Sequence, residues 1–177
     1  MSPELTRRDA IVALGATGVA TAGLGALVWD DSDGEGQQGG PSTRETAVAA
    51  AEALYPTDVT GIEGFVETYV LGRIEDRPTH REGLDAATTA LEEYAQNWED
   101  TSFTDLSRTE RQDIFDSMGV DGADPDPSGS QREQVRYYVV NDLLFALYSS
   151  PTGGRLVGLE NPQGHPGGSD SYRRGPE

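Results

Sequence analysis

Between residues 42 and 133 a Ser or Thr is followed, three positions on, by a Glu at five places: Ser42…Glu45, Thr60…Glu63, Thr79…Glu82, Ser107…Glu110 and Ser130…Glu133. In this spacing the hydroxyl accepts from the third backbone N–H beyond it. The glutamate reaches back to the N–H of the hydroxyl residue, so two orphan donors of a helix start are satisfied together. One match carries little weight. Five, each running into helical periodicity, predict an all-α domain of about five helices.

The apolar spacing agrees. Ala47, Ala50, Ala51 and Leu54 share one face of the first helix, which Pro56 ends. Ile62, Phe65, Val66, Tyr69, Val70 and Ile74 form the stripe of the second, and Pro78 separates it from the third. There Leu84, Ala87, Leu91, Tyr94, Ala95 and Trp98 make the face. Ile114, Phe115 and Met118 are the apolar set of the fourth, with Gly119 placed for a left-handed cap. Asp121 to Ser128 is an acidic, proline-rich loop. The fifth helix, about Gln131 to Tyr148, is apolar nearly all round and is expected to be central or covered by a partner.

The 177-residue chain has a formal net charge of −18, and all thirteen of its basic residues are arginine. Acidity without lysine is the composition expected of a protein from very salty surroundings. At about 1 M salt the Debye length is roughly 3 Å, so like charges repel only near neighbours. A nucleic-acid partner would need a basic face that this balance does not provide. Cysteine is absent, which removes disulfides, thiolate metal sites, iron–sulfur clusters, covalent haem attachment and a lipid-anchored cysteine.

Leu5-Thr6-Arg7-Arg8-Asp9 precedes a weakly apolar run, Ala10 to Val28, interrupted by Gly15, Gly18, Gly23 and Gly25. The pair Arg7 and Arg8 ahead of such a run resembles a twin-arginine export signal, a route that carries folded proteins. Residues 1–29 are read as that signal, either cut after Ala22 in the small-x-small stretch Ala20-Thr21-Ala22 or kept as an anchor. Residues 30–41 are read as a flexible acidic, Gly-rich linker, 42–149 as the helical domain, and 150–177 as an arm. Turn residues punctuate the chain from Ser149 to Gly168, so this arm is expected to be extended and non-helical. A disordered tail is the alternative, against which Leu156, Val157 and Leu159 argue for docking.

Candidate chemistry is sparse. Two distant histidines, His80 and His165, do not make up a metal site of three or four ligands, and His80 is expected on the surface. Asp124-Pro125-Asp126-Pro127-Ser128-Gly129 resembles the start of a calcium loop, yet the twelfth position, where a bidentate glutamate belongs, is Val135. Neighbouring carboxylates such as Glu92-Glu93 point apart on a helix. No dinucleotide fingerprint, phosphate loop or nucleophile elbow occurs, and no lysine exists for a Schiff base. The expectation is a chain without catalytic, cofactor-binding or metal residues of its own.

Three stretches carry a resemblance to a known family. They are Glu52-Ala53-Leu54-Tyr55-Pro56 leading into Gly61-Ile62-Glu63-Gly64-Phe65-Val66, then Gly83-Leu84-Asp85-Ala86-Ala87, and finally Tyr148-Ser149-Ser150-Pro151-Thr152-Gly153-Gly154 with Asn161-Pro162-Gln163-Gly164-His165-Pro166-Gly167. With these the chain resembles the gluconate 2-dehydrogenase subunit 3 family, the small (gamma) subunits of membrane-associated flavoprotein dehydrogenases, in a haloarchaeal-like version.

The resemblance implies a non-catalytic subunit beside a large FAD-containing partner of the glucose-methanol-choline type. That partner oxidises sugars, sugar acids or alcohols, with a cytochrome c or other electron-accepting subunit as a further partner. The small chain would supply the export signal for the pair, which implies an extracytoplasmic, membrane-associated location. Without cysteine no disulfide to the large subunit can form. The expected interface residues are Tyr137, Tyr138, Tyr148, Ser150, Pro151, Arg155, Asn161, Pro162, Gly164, His165 and Pro166. Tyrosines there offer amphipathic contact area, and Arg155 could pair bidentately with a carboxylate. The rival readings are a free-standing exported helical binding or structural protein and an enzyme with an unrecognised site.

Overall fold

The computed structural model describes residues 2–18 and 40–158. Helices α1 (Arg7–Ala16), α2 (Thr43–Leu54), α3 (Ile62–Ile74), α4 (Pro78–Glu99), α5 (Arg108–Met118), α6 (Gln131–Val135), α7 (Asp142–Ser149) and α8 (Pro151–Leu156) follow in chain order. A single 3₁₀ turn, Phe103–Asp105, lies between α4 and α5. A π-helical segment, Arg136–Asn141, joins α6 to α7 into the one long rod expected over Gln131 to Tyr148. The fold is all-α, and the one β-type pairing among the described residues is an isolated parallel bridge between Glu4 and Thr60.

Three of the five anticipated capping boxes close as written, at Ser42–Glu45, Ser107–Glu110 and Ser130–Glu133. The other two do not. Pro78 takes the first position of α4, because its fixed φ and missing N–H suit a helix start, so the helix begins ahead of Thr79. At α3 the backbone of Thr60 is already engaged. Its N–H donates to Pro3 O at 2.9 Å and its carbonyl accepts from Leu5 N–H at 2.8 Å. Gly61 becomes the cap with φ +75°, and a Cβ there would lie 2.1 Å from the Leu5 carbonyl oxygen.

Alanine dominates the buried face of α2 (Ala47, Ala49, Ala50, Ala51 and Ala53), so α3, α4 and α5 can approach it closely. Around this slender helix the large side chains fill the core: Tyr55, Phe65 and Tyr69 on one side, Leu91, Phe103 and Ile114 on the other. The fifth helix is central, with Val135, Val139, Val140, Leu143, Ala146 and Leu147 all buried. Trp98 departs from the expected α4 face. It is exposed and stacks on Tyr94 at 5.7 Å, because the last residues of α4 run past the helices that pack on it.

The segment read as a separable leader is part of this core as far as it is described. α1 packs on α3, α7 and α8, and Leu5, Ala10, Ala13 and Leu14 are buried. Leu14 of α1 fills a groove lined by Gly72, and the boundary drawn at residue 29 lies outside the described residues. A Cβ on Gly72 would meet Leu14 Cδ1 at 2.4 Å. The rest of the apolar run and the 30–39 part of the linker lie outside the described residues.

The expectation that the arm is non-helical from Ser149 onward is also corrected, because Pro151–Leu156 is α8. Ser150 Oγ accepts from Gly153 N–H at 3.0 Å, and Pro151 holds the first helical position. Gly153 is helical because α8 turns tightly against α7, where a Cβ would lie 1.8 Å from the Leu147 carbonyl oxygen. Turn-type composition here encodes a close approach between helices. The remainder of the arm, from Leu159, lies outside the described residues.

Candidate functional site

Two polar constellations stand out against the apolar core. The first joins α1 to α8. Thr6 caps α1 through a capping box with Asp9, an aspartate variant that a search for Ser/Thr-x-x-Glu passes over. Asp9 Oδ1 also accepts from the backbone N–H of Thr152 at 3.0 Å, and Thr152 Oγ1 donates to Glu4 O at 3.1 Å. Burial pushes the Asp9 carboxyl upward, but the hydrogen bonds from Thr6 and Thr152 outweigh it and hold the group below the ordinary aspartate value. Arg7 and Arg8, next to this joint in the first turn of α1, are exposed. At the other end of α1, Arg77 Nη2 donates to Thr17 O at 3.4 Å, a cation where the helix dipole favours one.

The second constellation lies under the π-helical segment. Asp142 Oδ2 receives Arg73 Nε at 2.9 Å and His80 Nε2 at 2.7 Å. The two nitrogens are 3.2 Å apart. Arg73 Nε always carries hydrogen, and both groups converge on one carboxylate oxygen, so they are side-by-side donors rather than bonded to each other. The expectation that His80 is exposed is corrected: its side chain is mostly buried, with its ring against Tyr138 at 5.2 Å. Pro78 causes this by starting α4 upstream, which turns residue 80 toward α3 and α7. Tyr69 adds a buried hydroxyl with no hydrogen-bond partner among the described residues. Burial, reinforced by the negative charge of Asp142, raises its pKa far above the ordinary range and keeps it neutral.

This triad ties α3, α4 and α7 together across long sequence separations. The cavity beside it, of about 10 Å³, is lined by Tyr69, Arg73, His80, Tyr138 and Asp142 among others. That is room for about one water and for no substrate. A larger open groove of about 590 Å³ runs along α2, α3 and the 3₁₀ turn, where Glu45, Glu52, Glu63, Glu67 and Asp105 line it. Arg44 and Arg111 line it as well, and Arg44 faces Glu67 at 3.7 Å. Arg111, in the same groove, is saturated: it donates to Phe103 O, Thr104 O, Ala49 O and Glu52 and clamps the 3₁₀ turn to α2.

The anticipated interface residues are dispersed. Tyr138 is buried beneath His80 and against Gly83, where a Cβ would lie 2.1 Å from Tyr138 Cζ, and Tyr137 is half-buried with its ring 4.8 Å from that of Tyr138. Ser150 is completely buried, and its hydroxyl donates to Leu147 O at 2.7 Å, so both Ser150 and Tyr138 are corrected from contact residues to parts of the fold. Pro151 is half-buried, Arg155 is exposed and donates to Thr152 Oγ1 at 3.0 Å, and Tyr148 is exposed. Asn161, Pro162, Gly164, His165 and Pro166 lie outside the described residues. Sequence reading missed Asp9, Arg73 and Asp142. The aspartate cap at Thr6 is a local signal, whereas the Arg73–His80–Asp142 triad has none.

Among the described residues no group of three or more His, Asp or Glu side chains is placed to hold a metal ion, and no helix is long and apolar enough to cross a membrane. A sequence model for gluconate 2-dehydrogenase subunit 3 matches residues 41–167. That span takes in α2 to α8 and leaves α1 outside it. Comparison with curated proteins and with solved structures returned no match.

Proposed function

This chain belongs to the gluconate 2-dehydrogenase subunit 3 family, and on that premise we propose that it is the non-catalytic small subunit of an exported flavin-dependent dehydrogenase complex. The catalytic partner is a large FAD-containing chain that oxidises a sugar, sugar acid or alcohol. The observation that carries the reading is the match over α2 to α8. The polar cluster of Arg73, His80 and Asp142 in those helices is engaged in holding helices together, which supports a structural role for it.

The export role rests on Arg7 and Arg8. Both are exposed, while Ala10, Ala13 and Leu14 of the run behind them are in the core. Reading of that whole run by an export machinery requires α1 to leave its groove. The free chain thus holds its address partly closed. An extracytoplasmic, membrane-associated complex in salty surroundings is the setting this reading implies.

Co-purification from the native host in high salt, with flavin absorbance as readout, tests the subunit role. We expect a yellow complex of two or more chains. A colourless single chain would overturn the reading and favour the free-standing protein. For carriage, Arg7→Lys with Arg8→Lys should strand both chains in the cytoplasm, and continued export of the flavoprotein would defeat that part.

A further inference from the structure

Among the described residues, three adjoining helices carry few of this chain's many carboxylates. α1, α7 and α8 pack on one another. Their sequences contain two carboxylates, Asp9 and Asp142, and both are consumed internally, by Thr152 and by Arg73 with His80. In a chain with 31 acidic residues and a net charge of −18, three adjoining helices without a free carboxylate are a marked local departure. The same helices carry the exposed cations Arg7, Arg8 and Arg155.

Apolar exposure follows the same geography. Of the five large exposed apolar side chains among the described residues, four lie here: Ile11 on α1, Phe145 and Tyr148 on α7, and Val157 at the end of α8. Ile11 stands four residues after Arg7, and Tyr148 three after Phe145, so each pair shares a helix face. Their exposures of 37–52 % mean half-sunk side chains. The fifth, Trp98, is 70 % exposed on α4, whose residues are rich in glutamate.

We propose that the α1–α7–α8 face is the docking surface for the large dehydrogenase subunit, with Phe145 and Tyr148 as its apolar centre and Arg7, Arg8 and Arg155 as its cationic rim. This rests on the subunit reading above and adds the location and chemistry of the contact. Protein interfaces concentrate aromatic residues and arginine and exclude carboxylates from the centre, which is the composition of this face. A partner surface that is apolar with carboxylates around it is complementary. A second copy of the chain is not, since a two-fold contact sets the same arginine-bearing patch against itself. When α1 is seated in its groove, its arginines border this surface.

The test is co-expression of the full chain with its flavoprotein, followed by affinity measurement in molar salt. Phe145→Gln with Tyr148→Gln should weaken binding at least tenfold while the helical circular dichroism stays at the wild-type level. Trp98→Gln, at a more exposed aromatic on glutamate-rich α4, should bind as wild type. Full binding by the folded double variant, or loss of binding with Trp98→Gln alone, would place the interface elsewhere and leave the subunit reading standing. If the unaltered chain fails to bind the flavoprotein, the subunit reading itself is what falls. Two further outcomes overturn the choice of occupant. One is a dimer of the wild-type chain in light scattering that the double variant dissolves. The other is flotation with anionic phospholipid vesicles that the double variant abolishes.

Discussion

Asp9 accepts from the backbone N–H of Thr152 across 143 positions of sequence, at 3.0 Å. Thr152 is the second residue of α8, so its N–H is one of the donors that a helix start leaves without an internal partner. A carboxylate there satisfies the donor and complements the helix dipole. One side chain therefore closes the capping box of α1 and the first turn of α8 together.

Asp9→Asn should destabilise the domain by about 2 kcal/mol near neutral pH, the magnitude typical of hydrogen bonds to a charged group. The folded pKa of Asp9 lies below its unfolded value. Its contribution is thus complete above the ordinary 3.8 and is lost as pH falls from there through the folded value. Denaturation midpoints against pH should show the wild-type advantage shrinking below about pH 4. A gap between wild type and variant that is constant down to the lowest pH would refute the assignment.

Gly61→Ala should separate the N-terminal segment from α3. The substitution asks for φ +75° from a residue with a Cβ and sets that Cβ against the Leu5 carbonyl oxygen. Strain and displacement together should cost about 1–3 kcal/mol. Hydrogen exchange is the direct readout, because the Leu5 and Thr60 amides should lose protection while those of α4 keep theirs.

Asp142→Ala leaves Arg73 and His80 largely buried without a carboxylate, and a loss of about 3 kcal/mol or more is expected. Replacing the three together, Asp142→Leu with Arg73→Met and His80→Leu, should recover most of that loss, because well-packed apolar groups need no counter-charge. Chemical denaturation of the two variants distinguishes a buried polar triad from a surface one. A negligible effect of the single change would mean that water already serves these groups.

Tyr55→Phe removes the hydroxyl that donates to Leu143 O at 2.9 Å in the buried joint between the end of α2 and α7. About 1 kcal/mol of stability should go with it, and the ring packing against Phe65 should remain. Equilibrium unfolding should show an unchanged denaturant slope and a lower midpoint.

The net charge of −18 makes salt a stabiliser. Raising ionic strength from about 0.1 M to about 1 M shrinks the Debye length from about 10 Å to about 3 Å. The thermal midpoint should rise by about 5 °C or more. A midpoint that falls with salt would show that ion pairs, rather than self-repulsion, dominate this surface.

Helix positions were legible because capping and periodicity are local. Ser42, Ser107 and Ser130 announced their helices correctly, and the long apolar stretch from Gln131 proved central. The failures share a cause. Thr60 lost its capping role because a distant segment took its backbone, and His80 was turned inward by a proline two residues before it. Ser149 to Gly154 read as irregular because glycine and proline break helices in isolation. In the structure Gly153 is required by the contact with the Leu147 carbonyl. Of the anticipated interface, Tyr148 and Arg155 are on the surface, while Ser150 and Tyr138 are inside.

From its residues alone the chain is all-α, acidic without lysine, free of cysteine, and marked by an arginine pair ahead of an apolar run. These follow from spacing of a few residues or from composition, which need no knowledge of neighbours. Only the tertiary structure decided that the arginine pair sits on a helix buried in the domain, and that Asp9, Thr152 and Glu4 meet. It also decided that α1, α7 and α8 adjoin and that the carboxylates of these helices, Asp9 and Asp142, are both engaged internally. Such relations join groups more than a hundred residues apart, and burial, not local pattern, selects which of them form.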